Sequence, residues 1–165
     1  MCYNIGVSNE RGNDNMTRKR YTTIYVDMDD TIADFKGVDN AVERFREEPN
    51  FFFNLKPLER NLKAIEKALN DSNFRVFVLT ASPNKNCDND KVKWLEKYLP
   101  KLPKKNILIC RLGENKGDYM KYRGSLLDDY GKNIRQWEET TKCTGFKIEY
   151  DGQIEAVLSL LGLNA

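Results

Sequence analysis

The side chains with the most chemical potential in this chain of 165 residues are carboxylates. Asp27, Asp29 and Asp30, with Thr31 beside them, crowd one turn directly after the apolar run 23–26. Such a cluster is unfavourable unless a cation neutralises it or water solvates it. A second pair, Asp128 and Asp129, follows the apolar run 125–127. Thr80, Ala81, Ser82 and Pro83 follow a third run, 74–79. Hydroxyls and free backbone N–H groups at a strand-to-helix turn suit an anion such as phosphate. Taken singly, each of these turns reads equally as an ordinary solvated loop.

Composition narrows the chemistry further. The chain has no histidine, which removes Ser-His and Cys-His catalysis, histidine general bases and histidine metal ligands together. Cys2, Cys87, Cys110 and Cys143 are widely spaced with no CxxC pair, so neither a zinc site nor a disulfide framework is indicated. Cys110 ends an apolar run and reads as a buried thiol. What remains is chemistry on carboxylates, lysines and hydroxyls, with or without a metal. The net charge of +2 carries no argument for a nucleic-acid partner, and the basic cluster Arg18, Lys19, Arg20 reads as a solvated lead-in. No apolar run approaches a membrane span of about 18 residues, and the first residues lack a signal-peptide stretch, so a cytoplasmic location is expected.

The elements that must position these groups alternate along the chain. Apolar, β-branched runs at 23–26, 74–79, 106–110, 125–127 and 146–148 read as strands. Leu58, Leu62, Ile65 and Leu69 recur at one-face helical spacing, as do Val92, Leu95 and Leu99, and then Ile154, Val157, Leu158 and Leu161. Strands alternating with helices predict an α/β fold, a doubly wound parallel sheet, in a single domain over residues 21–165. Residues 1–20 are polar and aperiodic and read as a flexible leader. The stretch from about 34 to 55 breaks the alternation. It holds a short helical pattern at 38–47, Pro49 and the triplet Phe51, Phe52, Phe53, and reads as a small insert over the strand ends. Ligands of doubly wound sheets bind at the carboxyl ends of the strands. The fold therefore brings Asp27, Thr80 and Asp128 to one rim, where carboxylates from two strands can share a Mg²⁺. That conjunction carries more than any one turn.

DMDDT at 27–31, Thr80, Lys116 and the Asp128-Asp129 pair together resemble the four motifs of the haloacid dehalogenase (HAD) superfamily. DMDDTIADF, NFFFNLKPL, VFVLTASP, KVKWLEKYLP and SLLDDY further resemble, in the same order, segments of the 5′(3′)-deoxyribonucleotidases. The resemblance spans roughly residues 21–134. It implies a Mg²⁺-dependent phosphomonoesterase acting on a small-molecule phosphate monoester, a nucleotide. Asp27 is then the nucleophile and Asp29 the general acid and base. Thr80, with the backbone around Ala81 and Ser82, holds phosphate oxygens, helped by Lys116 and Lys91. Lys116 lies slightly far from Asp128 for the family pattern, which leaves Lys121 as an alternative. Asp27, the backbone carbonyl of Asp29, Asp128 and Asp129 form the expected metal set. Phe35, Phe51 and Phe53 are candidates for the wall of a base pocket, although a plain core role suits the triplet as well; Trp94 and Trp137 read as core. Two departures stand out. Only fifteen residues separate Phe35 from Phe51, which resembles a shortened cap, and Asp30 stands where glycine is usual. A short cap lines less of the base, so a sugar phosphate or a nucleic-acid end is an alternative substrate, a non-catalytic phosphate-binding module is an alternative function, and a homodimer completing the site is an expectation.

Overall fold

The computed structural model describes residues 19–163. Five strands form one parallel sheet: β1 (Thr22–Val26), β4 (Phe74–Ser82), β5 (Ile107–Arg111), β6 (Ser125–Asp128) and β7 (Gly145–Lys147), in the order β5-β4-β1-β6-β7. The chain steps outward from β1 to β5 on one side, then crosses back to β6 and β7 on the other. The switch in direction falls beside β1, where open α/β sheets place their ligands.

Side chains alternate across the sheet because successive residues of a strand point to opposite faces. Ile24, Val26, Val76 and Val78 face one core, packed by α2 (Glu59–Asn70), α3 (Lys85–Tyr98) and α5 (Gln153–Leu160). Tyr25, Phe77, Leu79 and Leu126 face the other, closed by Ile134 and Trp137 of α4 (Gly131–Thr141). Both tryptophans are fully buried, and Cys110 is a buried free thiol, in line with the sequence reading. Helix α4 was not legible beforehand. Its buried face is only Ile134, Trp137 and Thr141, too sparse for an apolar period.

Two further differences matter for the site. Strand β4 continues to Ser82, with Ala81 opposite Cys110 and Ser82 opposite Arg111, so the expected turn at 80–82 is partly strand. The expected helix at 38–47 is realised only as α1 (Ala41–Arg44). Left-handed backbone at Asn40 (φ 53°) and Asn50 (φ 61°), with Pro49 between α1 and Phe51, breaks a longer helix there. The segment leaves and rejoins the core through a two-stranded antiparallel neck of β2 (Ala33–Asp34) and β3 (Lys56–Pro57). Of the expected leader, residues 1–18 lie outside the described residues, whereas Lys19 and Arg20 are exposed coil.

Candidate active site

Register brings the carboxylates together. Val26 lies opposite both Val78 of β4 and Leu127 of β6, so Asp27 and Asp128 leave the sheet side by side, with Thr80 two residues past Val78. The Asp27 N–H donates to the Leu127 carbonyl at 2.9 Å and ties the two strand ends together. Beyond Asp27 the chain makes a tight turn. The Met28 carbonyl accepts from the N–H groups of Thr31, Ile32 and Ala33. Asp30 sits at φ 55°, the left-handed region that favours glycine and that aspartate tolerates better than most residues. This accounts for the glycine usual at that position. Aspartate adds something glycine lacks: its Oδ1 accepts from the N–H of Phe35 at 3.1 Å and of Lys36 at 2.7 Å, pinning the start of the insert.

The Lys116 ammonium lies buried between two carboxylates, 2.6 Å from Asp27 Oδ1 and 2.6 Å from Asp128 Oδ2. It is delivered by the short 3₁₀ turn Lys116–Tyr119, whose Asn115 side chain caps the Gly117 N–H. Lys121 is exposed and its backbone N–H donates to the Tyr25 hydroxyl, so Lys116 is the lysine of this cluster. Asp128 is fully buried and heavily held. Its oxygens accept from Tyr130 N–H at 2.8 Å and from the Asn133 amide at 3.0 and 3.2 Å. Asp129 accepts from Lys36 Nζ at 2.7 Å, an exposed lysine reaching over from the insert.

Oxygens of Asp27, Asp128 and Asp129 lie within 4.8 Å of one another. Three hard oxygen donors with room for water match what Mg²⁺ prefers. The charge balance points the same way. Burial pushes the Asp27 carboxyl well above the usual carboxylate range, against the pull of Lys116 and with the help of the Asp128 and Asp29 carboxylates. Burial works to discharge Lys116, but the Asp27 and Asp128 carboxylates overcome it and raise its pKa. Burial also raises the Asp129 carboxyl, opposed by Lys36. One buried ammonium does not neutralise this cluster; a divalent cation would. The Asp29 side chain stands apart from that trio. Its Oδ2 accepts from Lys91 Nζ, and its Oδ1 is buried without a partner among the described residues. A buried oxygen with no partner calls for a ligand.

Lys91, on α3, is completely buried. Its ammonium bridges Asp29 and Thr80 Oγ1 (2.9 Å) and lies 4.2 Å over the Phe52 ring. The Ser82 hydroxyl is buried and donates to the Asn84 carbonyl at 3.1 Å, at the turn into α3, which leaves the backbone, the expected contact, for an anion. A cavity of about 260 Å³ opens over the cluster, with Asp27, Asp29, Ala81 and Lys116 on one side and Phe35, Phe45 and Phe52 on the other. The aromatic wall thus differs from the expected one. Phe51 is buried edge-on against Phe35 and Phe52, and Phe53 turns away beneath Lys97. Consecutive residues in a 3₁₀ turn point about 120° apart, so three successive phenylalanines cannot share one face. Sequence reasoning missed Phe45, Asn133 and Lys36. Asn133 had one usable signal, a polar residue in the first turn of the element after the aspartate pair.

The family described as "5′ nucleotidase, deoxy (Pyrimidine), cytosolic type C protein" matches residues 37–155. The chain belongs to this nucleotidase family. A Vibrio phage KVP40 protein described as "Putative 5′(3′)-deoxyribonucleotidase" is 33% identical over 122 residues, 67% of this chain and 67% of that one. The fold is also that of the HAD domain of the effector Lem4 from Legionella pneumophila, at a TM-score of 0.54 and 13% identity over 88% of this chain and 96% of that one. A chain of the Pnkp1/Rnl/Hen1 complex superimposes at a TM-score of 0.58 and 15% identity; 81% of this chain covers 47% of that one. This nucleotidase is thus a HAD-type phosphatase with a deoxyribonucleotidase-like sequence. No helix among the described residues is long and apolar enough to cross a membrane.

Proposed function

We propose that this nucleotidase hydrolyses deoxyribonucleoside monophosphates through a phosphorylated Asp27, with Mg²⁺ held by Asp27, Asp128, Asp129 and the backbone carbonyl of Asp29. The observation that carries this reading is the division of labour among the carboxylates. Three converge on one point, while Asp29, which also lines the cavity, is held apart by its ion pair with Lys91. The metal supplies the positive charge that lets a carboxylate approach a phosphate dianion.

Asp27 attacks phosphorus, and the bond from phosphorus to the ester oxygen breaks. The leaving alkoxide takes a proton from Asp29. Water then attacks the phosphorylated Asp27, Asp29 takes a proton from it, and phosphate leaves with the Asp27 carboxylate restored. Asp29 begins paired with Lys91. Phosphate bound at Thr80 competes for that ammonium and frees Asp29 for proton transfer. Lys116 and Lys91 stabilise charge on the transferring group, and Ala81 and Ser82 offer backbone N–H groups to it. Phe35, Phe45 and Phe52 line the cavity and would receive the base.

A substrate panel tests this, run with Mg²⁺ and with chelator: deoxyribonucleoside and ribonucleoside monophosphates, sugar phosphates and phosphorylated oligonucleotides. Deoxynucleotides should lead, and chelator should abolish turnover. Sugar phosphates turning over faster than any nucleotide would sink the substrate assignment. Near-normal turnover by Asp27→Ala would sink the mechanism. Sedimentation of the same protein tests the expected homodimer.

A further inference from the structure

The charge of +2 is not spread evenly. Carboxylates crowd the carboxyl rim of the sheet, and cations crowd the opposite rim. There a groove of about 370 Å³ runs past the amino ends of β4 and β5, lined by Tyr21, Arg75, Lys101, Lys105, Asn106 and Tyr122 along with apolar residues, and by no acidic side chain. Lys19 lies over the Tyr21 ring at 5.3 Å, and Lys121 Nζ reaches the Lys105 carbonyl at 3.5 Å. Among the described residues, none of these five cations (Lys19, Arg75, Lys101, Lys105, Lys121) forms a salt bridge.

Arg75 makes this more than a lysine-rich surface. Its guanidinium is clamped between two rings, 4.4 Å from Tyr21 and 3.9 Å from Tyr122. Tyr122 is itself anchored. The buried Tyr25 hydroxyl accepts from the N–H groups of Lys121 (2.9 Å) and Tyr122 (3.0 Å) and donates to the Tyr122 carbonyl (2.9 Å). Stacking fixes the guanidinium plane while leaving its in-plane N–H donors without a side-chain or backbone acceptor among the described residues. A planar fork held this way matches a phosphate.

We propose that this groove binds single-stranded nucleic acid, Arg75 clasping one backbone phosphate while Lys101, Lys105, Lys19 and Lys121 line the path of its neighbours. One nucleotide monophosphate carries about two charges, too few for five unpaired cations, whereas a strand presents a charge at every residue. The two half-exposed tyrosines, their faces taken by Arg75, Lys19 and Phe77, offer ring edges to unpaired bases, which a duplex keeps stacked. The site is separate from the phosphatase centre, since its residues lie at or before the amino ends of the strands, whereas Asp27, Thr80 and Asp128 lie at the carboxyl ends of β1, β4 and β6.

The test is fluorescence anisotropy with a short unstructured oligodeoxynucleotide that carries no terminal phosphate, titrated at several salt concentrations. Binding should weaken steeply with salt. Arg75→Gln with Lys105→Gln should weaken it at least about tenfold and lower the slope of log K against log salt by about 1.4, at about 0.7 per single-strand phosphate contact. Lys101→Gln with Lys105→Gln alters only exposed side chains and gives the same readout should Arg75→Gln impair folding. Hydrolysis of a nucleoside monophosphate should be unchanged in both variants. The proposal is overturned by absent binding at low salt, by equal binding in the exposed-lysine variant, or by binding that Asp27→Asn abolishes.

Discussion

Replacing Lys116 with methionine isolates the electrostatics on which the catalytic centre rests. Its ammonium is 2% exposed and sits 2.6 Å from each of two buried carboxylates. Methionine roughly keeps the volume and deletes the charge, leaving Asp27 and Asp128 facing one another across the gap. Breaking a buried ion pair from one side costs about 3–5 kcal/mol, because the surviving charge is stranded away from water. For a domain of this size that corresponds to a drop in Tm of roughly 10 °C at 2–4 °C per kcal/mol. Asp27 is already pushed toward its protonated form by burial and by its acidic neighbours, so the variant should take up a proton there and end near the lower limit. Mg²⁺ then discriminates. Wild-type protein should be stabilised by about 2.7 kcal/mol at a hundredfold excess over Kd. The variant should gain at least as much, because the ion replaces the missing charge, so the two melting curves should draw together with Mg²⁺. Scanning calorimetry with chelator and with saturating Mg²⁺ measures both effects. A Lys116→Met protein as stable as wild type in chelator, or a gap that Mg²⁺ widens, would refute the electrostatic account.

Asn61 is fully buried and bonds four backbone groups at once: its amide donates to the Thr31 and Tyr150 carbonyls, and its oxygen accepts from the Gly152 and Ile154 N–H groups. Asn61→Ala should cost about 3 kcal/mol in urea unfolding, since the groups it satisfies are left without partners. Asp88 is held below the usual carboxylate range, mainly by its two hydrogen bonds from Arg111. Its folded pKa lies below the unfolded one, so its contribution is complete above about pH 4 and is lost as pH falls through the folded value. Arg111 is half exposed, so Asp88→Asn should lower stability at pH 7 by only about 0.5 kcal/mol and converge with wild type as pH falls through the folded value. Phe45, half-buried on the cavity wall, should act on the base alone. Phe45→Ala should raise KM for a nucleoside monophosphate about tenfold, from about 1–3 kcal/mol of stacking, with kcat little changed. Equal loss for a chromogenic phosphate without a base would contradict that role. Asp30→Gly relieves a left-handed backbone but deletes two hydrogen bonds to the insert. A net loss of about 1 kcal/mol in thermal unfolding is expected.

The α/β class, the five parallel strands and the meeting of Asp27, Thr80 and Asp128 at one rim were legible in the sequence. They depend on local periodicity and on a topological rule that holds for any doubly wound sheet. Helix α4 escaped because its buried stripe is three residues wide, and stability there comes from packing on Tyr25 and Phe77 rather than from its own pattern. Tertiary structure alone decided which lysine meets the carboxylates. Lys116 and Lys121 differ by five residues in sequence, but only the 3₁₀ turn directs one ammonium inward. It also decided that Phe52 and Phe45, not Phe51 and Phe53, wall the cavity, that Asn133 grips Asp128, and that Arg75 is clamped between Tyr21 and Tyr122. Each of these is a contact between residues far apart in the chain or a choice of direction within one turn. Hydrophobic period and residue type set the layer in which a side chain lies, whereas what it touches follows from how the layers pack.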